Sequence, residues 1–436
     1  MKTIKTLLVI SLLMAPLLGK AQIYLDKYNF GEGLNFSGEQ GYKIKLEGFV
    51  QPYMEIKRYT GNDDSNLYNR FRMRRLRLQL SGNMADEKLS YRLRVDLSGT
   101  AEADVDEAEN SILLDAYIRY HINDNLSATF GQKSTPTDNR ELNINSQTLQ
   151  LPERSRVTSV FSTIREFGLF LDGSYRISPG GMYLKPSIAI TNGDGQNAFK
   201  KDHGGLKYGG RLDFLPFGLF SNFGQFREAD IARERTPKLV MGINYSYNDG
   251  VSSRRGRNSG SILYLNDQGE EELPDYMKLG FDFMFKYQGF SMLGEYVKGS
   301  AHVSDAITQR VRNDGSVSTS FEIDGEQHVG NYVKNRMMMG EGYNIQAGYI
   351  FTNLISIDAR YTHLRADKYS FMNNGTFYNR PNYYTLGISK YLGRNYGAKI
   401  QASFTYVDAA EGSNNNEGNP IAGNEWIGRL VLTIGF

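Results

Sequence analysis

A series of segments in which apolar and polar residues alternate constrains the fold of this chain more than any other feature of its sequence. Near the N-terminal end of the series, Leu76, Leu78 and Leu80 share one parity. Arg75 and Arg77 share the other. Because successive side chains of a β-strand point to opposite faces, this pattern predicts strands with one apolar and one polar face.

Roughly sixteen such segments follow one another along the chain, and an even number of this size is typical of single-chain outer-membrane β-barrels. Links between the predicted strands are alternately short and long, as in the four-residue step from Ile122 to Leu126 and the long segment 133–164. The link Phe217–Thr236 is the exception, being long where a short turn is due. The strands are predicted at 42–54, 70–82, 88–99, 112–122, 125–132, 165–178, 181–192, 206–216, 237–248, 275–288, 289–300, 341–351, 354–364, 381–392, 396–408 and 424–436.

These features predict an all-β fold: a transmembrane antiparallel β-barrel with short periplasmic turns and long extracellular loops. Beyond the N-terminal region, no apolar run approaches the ~18 residues of a transmembrane helix. The 46 Gly, 29 Tyr and 24 Phe suit a barrel wall, and the mean hydropathy is −0.47. The chain has no cysteine, which excludes disulfides and cysteine metal sites.

The N-terminal residues predict export. Lys2 and Lys5 precede a twelve-residue apolar core at Leu7–Leu18, and Ala21 supplies the small residue that signal peptidase requires. We therefore predict a signal peptide at 1–21, a periplasmic segment at 22–41 and the barrel at 42–436, located in the outer membrane.

The charge of the chain is balanced. It carries 50 Lys and Arg against 48 Asp and Glu, and loss of Lys2, Lys5 and Lys20 with the signal leaves 47 against 48. A nucleic-acid-binding protein would be strongly basic, so nucleic acid is not an expected partner. Any preference for anions must instead come from the local placement of charge.

Aromatic residues and the C-terminus support the same architecture. Tyrosines fall near both ends of the predicted strands, where amphipathic rings meet the lipid–water interfaces of a barrel. Tyr276 is an exception, because it lies on the polar parity. The last segment alternates to the terminal Phe436. The predicted belts contain Tyr91, Tyr120, Tyr175, Tyr287 and Tyr349 at the short-turn ends, and Tyr245, Tyr247, Tyr276, Tyr361, Tyr384 and Tyr406 at the long-loop ends.

The sequence resembles the phosphate-selective porin O and P family. The resemblance is carried by RFRMRRLRLQLSG at 70–82, DAYIRY at 115–120, FGQKSTP at 130–136, LPERS at 151–155, YGGRLDFLPFG at 208–218 and the ending LTIGF. It implies a homotrimer of sixteen-stranded barrels in outer-membrane lipid, each with its third outer loop folded into the pore. That loop corresponds here to 133–164, and the expected solutes are small anions such as phosphate.

Basic residues on the inward parity or in loops form the predicted anion pathway, since Arg and Lys rings favour anions at a narrow constriction. An alternative remains open, in which the arginines simply brace the wall, because six aspartates share the inward parity: Asp96, Asp115, Asp172, Asp213, Asp282 and Asp358. The candidate residues are Arg75, Arg77, Arg92, Arg94, Arg119, Lys133, Arg154, Arg156, Arg176, Arg211, Arg254, Arg255 and Arg257.

No catalytic or cofactor-binding motif accompanies this pattern. The five histidines have no paired spacing for zinc, and neither His121 nor His363 lies near a nucleophile motif. We therefore expect a passive channel rather than an enzyme, with no metal or cofactor. The remaining alternative is a structural or adhesive outer-membrane barrel, in which the long segment 301–340 would serve as a surface-binding feature.

Overall fold

The structure, a computed structural model, is that of a closed antiparallel β-barrel. It describes residues 23–26, 28, 30–38, 41–60, 67–84, 86–99, 112–198, 203–257, 262–375, 380–410, 413–414 and 424–436. The predicted signal peptide lies outside the described residues.

Sixteen strands form the wall within the described ranges, and each is hydrogen-bonded to the next in antiparallel register. The last strand pairs with the first, from Asn424 opposite Thr60 to Gly435 opposite Phe49. The predicted fold class and strand number are thereby confirmed. The strands are β1 Lys43–Thr60, β2 Leu67–Asn83, β3 Leu89–Asp96, β4 Leu113–Asn123, β5 Leu126–Ser134, β6 Arg165–Gly173, β7 Tyr183–Thr191, β8 Lys207–Leu215, β9 Lys238–Asn248, β10 Asp275–Tyr287, β11 Phe290–His302, β12 Gly340–Ile350, β13 Ile355–Ala366, β14 Asn382–Tyr391, β15 Ala398–Asp408 and β16 Asn424–Gly435.

The predicted faces of the strands are confirmed. In β10, Lys278 and Asp282 are only 3% and 6% exposed, whereas Phe281 between them is 46% exposed. The apolar side chains therefore point outwards and the charged ones into the lumen. This is the reverse of a water-soluble protein and suits a wall surrounded by lipid.

Tyrosine and tryptophan rings form a ladder across neighbouring strands on the outer surface. Tyr361 stacks on Tyr384 with ring centroids 5.0 Å apart, and Tyr406 lies 4.9 Å from Trp426. This ladder lies at the long-loop end, where one aromatic belt was predicted. Tyr276 instead points inward, and its hydroxyl donates to the Met338 carbonyl oxygen over 2.7 Å.

Strand β2 contains a β-bulge opposite Pro52. Gln51 pairs with Arg75 and Pro52 with Met73, which leaves Arg74 as the extra residue. Proline has no N–H to donate to the ladder, so a bulge is tolerated at this position. As a result, both Arg74 and Arg75 point into the lumen.

Two segments close part of the short-turn end. The long link between β8 and β9 contains the 3₁₀ helix Ser221–Phe226 and packs against the barrel interior. Near the N-terminus, the short strands Ile23–Leu25 and Leu34–Gly38 pair with each other, and the second extends the sheet beside β1.

The long loops carry the remaining elements. Between β5 and β6 lie α1 (Arg140–Asn143), the 3₁₀ helix Ser146–Thr148 and α2 (Arg156–Phe161). The loops after β9 and β11 share a three-stranded sheet of Tyr264–Leu265, Gln309–Val311 and Val317–Ser318, followed by the hairpin Glu322–Ile323 and Glu326–Gln327 and by α3 (Val329–Lys334). The 3₁₀ helix Phe371–Asn373 lies after β13.

Across the described part of the chain, no helix has both the length and the apolar character needed to span a membrane.

Candidate functional site

The loop 133–164 folds into the barrel, and its helix α2 packs against one side of the wall. Val157, Val160 and Phe161 of α2 join a buried apolar cluster with residues of β11, β13, β14, β15 and β16. We call the strands β9–β16 the packed half. The wall residues of this cluster are Val297, Leu364, Tyr383, Val407 and Ile427.

The tip of the loop packs against the same half nearer the short-turn end. Ile144 and Leu149 are buried against Val240, Met284 and Leu293 of β9–β11. The Gln401 side-chain amide donates to the Gln150 carbonyl oxygen over 2.7 Å. The loop is therefore attached to the packed half along its length.

The loop also contacts the segment 217–236, which approaches from the short-turn end. The Gln150 backbone N–H donates to the Glu228 carboxylate over 2.6 Å, and the Gln346 side chain donates to the same carboxylate over 2.9 Å. Burial raises the pKa of Glu228, and the nearby Glu141 carboxylate raises it further. Two insertions from opposite ends thus meet inside the barrel.

One acidic residue of the loop ties it to β2. Glu153 accepts hydrogen bonds from Arg74 over 2.5 and 3.0 Å and from Arg75 over 3.2 Å. Burial alone would raise the pKa of Glu153, but the two guanidinium groups outweigh this effect and hold the pKa below its usual range. Charge-assisted, bidentate bonds of this type fix orientation as well as distance.

A second acidic residue, Glu141, organises the loop internally. Its carboxylate accepts from the Ser155 backbone N–H over 2.8 Å and from the Thr158 hydroxyl, and Arg360 of β13 donates to it over 2.9 Å. Arg154 bonds the Ile144 carbonyl oxygen over 2.7 Å. These bonds give the loop one fixed conformation in the lumen.

Opposite the loop, a cavity of about 950 Å³ remains between the loop and the wall formed by β1–β8, which we call the open half. It extends from the short turns near Asn125 and Tyr396 to Pro136 and Arg165 beside the loop. Twelve basic side chains line it against six acidic ones. The basic residues are Lys45, Arg77, Arg92, Arg94, Arg119, Lys133, Arg140, Arg154, Arg165, Lys185, Arg211 and Arg227, and the acidic ones are Glu32, Glu47, Asp115, Asp124, Asp172 and Asp213.

Several of these arginines pair with carboxylates. Arg77 lies 2.7 Å from Asp96, and Arg211 lies 2.6 Å from Asp282. Asp115 is shared by two further arginines of the cavity wall. The wall is therefore braced in the way that the inward aspartates suggested, and with Asp96 and Asp282 included twelve basic side chains still outnumber eight acidic ones.

Two arginines present their charge to the cavity around an aromatic ring. The guanidinium groups of Arg92 and Arg119 each lie 5.6 Å from the centroid of Tyr117. Arg119 is 3.8 Å from Asp172, a long contact in which both side chains are more than a quarter exposed. Lys133 lies closer to the same carboxylate, at 3.2 Å, so Asp172 balances only one of these two positive charges.

The structure brings together seven of the thirteen predicted pathway residues and separates the others. Arg75 is buried beside Glu153, Arg156 donates to the Tyr383 hydroxyl over 3.2 Å, and Arg176 bonds the turn carbonyls of Ser178 and Pro179. The seven that line the cavity are Arg77, Arg92, Arg94, Arg119, Lys133, Arg154 and Arg211.

The three arginines of the loop after β9 lie on the long-loop side of the loop 133–164 and not in the cavity. Arg255 donates to the Val160 carbonyl oxygen over 3.0 Å and Arg257 to that of Ser162 over 3.5 Å, at the end of α2. The Arg254 guanidinium lies 3.8 Å from the ring centroid of Phe371. Their contacts hold α2 in place from the long-loop end.

Sequence reasoning missed six basic residues of this region: Lys45, Arg74, Arg140, Arg165, Lys185 and Arg227. Arg140 bonds Asp213 of β8 over 2.7 Å and Asp282 of β10 over 2.8 Å, so it links the loop to the open half and to the packed half. The adjacent Arg74 and Arg75 break the alternation of β2, and this is the signal that could have revealed the bulge. Within the described ranges, no group of three or more His, Asp or Glu side chains is arranged to hold a metal ion.

A closed barrel with an apolar outer face, a polar lumen and an infolded loop defines an outer-membrane porin-type channel. The phosphate-selective porin O and P family matches residues 50–335, and the chain belongs to this family. No protein of curated function matches the sequence.

Solved structures of outer-membrane proteins have the same fold. The outer membrane channel DcaP of Acinetobacter baumannii is 12% identical with a TM-score of 0.50, over 92% of this chain and 99% of DcaP. OmpF of Salmonella typhi is 13% identical with a TM-score of 0.51, over 91% of this chain and 98% of OmpF. At these identities the likeness concerns the fold, and the chain is accordingly an outer-membrane protein with a porin fold.

Proposed function

We propose that the protein is a passive channel for small solutes with a preference for anions, phosphate among them. The observation that carries this proposal is the surplus of basic side chains around the cavity of the open half. An excess of fixed positive charge along a water-filled lumen raises the local concentration of anions and excludes cations. A guanidinium group also matches phosphate and carboxylate oxygens in geometry.

The charges that act on a solute are the ones that wall carboxylates do not neutralise. Arg92 and Arg119 flank Tyr117 on the open side, and Lys185 lines the same cavity. The arginines engaged with Asp96, Asp115 and Asp282 mainly brace the wall. The selectivity filter that we propose is therefore the lumen-facing surface of β3, β4 and β7. It does not include Arg75, Arg156, Arg176 or the three arginines of the loop after β9.

A reversal-potential measurement in planar lipid bilayers tests this proposal. In a KCl gradient, the wild-type protein should prefer chloride over potassium. Two unit charges about 8 Å from a permeating ion in water contribute about 1 kcal/mol, so Arg92→Gln with Arg119→Gln should lower the permeability ratio about fivefold.

Arg176→Gln is the matched control, because it removes the same charge from outside the cavity. It should leave the reversal potential unchanged. Cation preference in the wild type would overturn the anion proposal, and so would an equal shift in the control. A total absence of conductance would favour the alternative of a structural or adhesive barrel.

We further propose that the protein forms a homotrimer, with the wall segment β3–β8 of the open half facing the partner subunits. Strand β3 has eight residues, β5–β8 have nine each and β4 has eleven, whereas β1 and β2 have 18 and 17 and β9–β16 have ten to thirteen. Eight residues at a tilt of ~40° rise only about 20 Å, less than the ~25 Å apolar band of a barrel in lipid. Protein neighbours would cover this lower wall better than lipid, and chemical crosslinking in detergent tests the number of subunits.

We also propose that the signal peptide predicted at 1–21 is removed on export. Cleavage after Ala21 would leave a mature chain whose first strands, Ile23–Leu25 and Leu34–Gly38, lie at the short-turn mouth of the barrel. N-terminal sequencing of the protein from outer membranes tests this, and an N-terminus at Met1 would contradict it.

A further inference from the structure

The loops after β9 and β11 form a folded unit of their own at the long-loop end. Tyr264, Phe321 and Val333 are buried in one apolar cluster that joins the three-stranded sheet to α3. The Tyr264 and Phe321 rings stack with centroids 6.4 Å apart, and Phe321 meets Tyr332 edge-on at 5.4 Å. This packing holds the loop surface in a defined shape.

A second cavity, of about 410 Å³, lies between this sheet and α3, away from the lumen. Its size falls within the range of small-molecule sites. Ile262, Leu263 and Val311 supply an apolar wall, and Arg312 and Arg336, which also line it, are exposed. The cavity is therefore accessible from outside the cell.

Two guanidinium groups of this cavity are arranged around one aromatic ring. Arg310 lies 5.0 Å and Arg336 4.8 Å from the centroid of Tyr332. Arg310 donates to the Ser320 carbonyl oxygen over 2.7 Å, and Arg336 donates to the Tyr332 hydroxyl over 2.7 Å. Each guanidinium has five N–H donors, so these bonds leave most of them available.

Carboxylates do not compensate this charge. Among the described residues, no acidic side chain forms an ion pair with Arg310, Arg312 or Arg336. Asp314 lines the cavity, but its carboxylate accepts from the Ser316 hydroxyl and backbone N–H over 2.7 and 3.0 Å. The cavity thus combines three positive charges with one engaged negative charge.

A buried hydroxyl with no partner also points to a ligand. Tyr264 is 2% exposed, lines the cavity, and its hydroxyl makes no hydrogen bond with the described residues. A buried polar group without a partner costs free energy, so native proteins usually satisfy it. Burial raises the pKa of Tyr264, which keeps the hydroxyl protonated and able to donate.

We propose that this cavity binds a small organic oxyanion from the outer solution, with Arg310 and Arg336 bonding the oxyanion and the Tyr264 hydroxyl donating to it. The shared chemistry is a phosphate or carboxylate group joined to a small apolar group, which packs on Ile262, Leu263 and Val311. This is a binding step at the cell surface, separate from diffusion through the lumen.

Isothermal titration of the purified full-length protein in detergent with phenyl phosphate tests the proposal. One saturable site per chain is expected, with tighter binding than inorganic phosphate because of the apolar wall. Arg310→Gln with Arg336→Gln should weaken binding about tenfold or more, since each removes charge-assisted hydrogen bonds. Benzoate in place of phenyl phosphate distinguishes a carboxylate from a phosphate ligand.

Tyr264→Phe keeps the ring and its packing but removes the hydroxyl, so it tests the site even if the double variant fails to fold. It should weaken binding several-fold and leave channel conductance unchanged. Arg365→Gln is the matched control, because Arg365 is an exposed arginine outside the cavity that pairs with Glu341. The proposal is overturned if phenol binds as tightly as phenyl phosphate, if the control loses as much affinity as Tyr264→Phe, or if wild type does not bind.

Discussion

The two halves of the barrel share the same strand pattern but use their inner faces differently. In the open half, inward side chains such as Arg92 and Lys185 line a cavity of about 950 Å³. In the packed half, inward residues such as Val297 and Leu364 are covered by the loop helix α2. Alternation alone determines which side chains point inward, and the loop then determines which of them meet water.

The nature of the contacts differs in the same way. The loop is held to the packed half by the buried clusters around α2 and the loop tip together with charged pairs such as Glu141–Arg360, whereas its attachments to the open half are the charged pairs of Glu153 and Arg140. Apolar contacts are non-directional and independent of pH, while charged contacts depend on protonation. The two attachments of the loop should therefore respond to different perturbations.

The largest effect is expected from Phe161→Ala, which removes a ring that is 1% exposed in the apolar cluster of the packed half. Truncation of a buried Phe costs about 3–5 kcal/mol. Hydrogen exchange of residues 150–164 should accelerate accordingly, and the single-channel current should fluctuate more. Phe223→Ala is the control, because Phe223 is 75% exposed; an equal effect there would mean that α2 is not held by this cluster.

The sequence predicts the strands well but the division into two halves less well. Sixteen strands and their faces follow from alternation, which depends only on local geometry, whereas the placing of Tyr276 in the outer belt set its parity aside and is wrong. The packed half is indicated only by apolar residues on the polar parity, such as Val240, Met284 and Leu293, whose common partner is a loop distant in sequence. Their meaning depends on how the loop folds.

A bulge and a strand end explain where two arginines lie in the structure. The bulge at Arg74 adds one residue to β2, so parity cannot be carried across it. Tyr175–Arg176 continues the register of β6 with β7, so Arg176 keeps the inward parity, but it lies beyond the cavity at the turn, where it bonds the Ser178 and Pro179 carbonyl oxygens. A rule based on period two fails at a bulge, and it does not show how far along the barrel axis an inward residue lies.

Glu153→Gln should loosen the attachment of the loop to the open half. The amide oxygen can still accept one bond from Arg74 or Arg75, so the expected loss is about 1.5–3 kcal/mol. Because the folded-state pKa of Glu153 lies below the ordinary value of 4.5, its contribution is present above pH 4.5 and is lost as the pH falls. Hydrogen exchange of the loop at pH 7 and pH 3 measures this loss in the wild type and in the variant. If the loop of the variant is as sensitive to acid as that of the wild type, the role of Glu153 is contradicted.

Glu228 should respond to pH in the opposite sense. Burial and the Glu141 carboxylate raise its folded-state pKa although the Gln150 N–H favours the ionised form, so the packing around Glu228 is most stable at low pH and loses stability as the pH rises through that value. The change is at most about 1.4 kcal/mol per pH unit for one proton. The variant Glu228→Gln keeps this side chain neutral at every pH. Hydrogen exchange at the Gln150 amide, corrected for its intrinsic rate, should then be independent of pH. An unaltered pH dependence would assign the effect to another group.

Tyr276→Phe should have the smallest effect of this series. It removes one hydrogen bond to the Met338 carbonyl oxygen, at a cost of about 1 kcal/mol, and leaves the ring in place. Exchange of the neighbouring amides reports this loss. A cost as large as that of Phe161→Ala would show that polar contacts, and not apolar packing, hold the packed half.

Cysteine accessibility tests the division of the lumen most directly, because the natural chain contains no cysteine. Ser187 and Ser389 both point inward, but Ser187 lines the cavity and Ser389 is buried against the Gln150 carbonyl oxygen of the loop. With a negatively charged methanethiosulfonate reagent, Ser187→Cys should react rapidly and reduce the conductance, whereas Ser389→Cys should stay unmodified in the folded channel. Equal reaction at both positions, or faster reaction at position 389, would contradict a solute path along the open half.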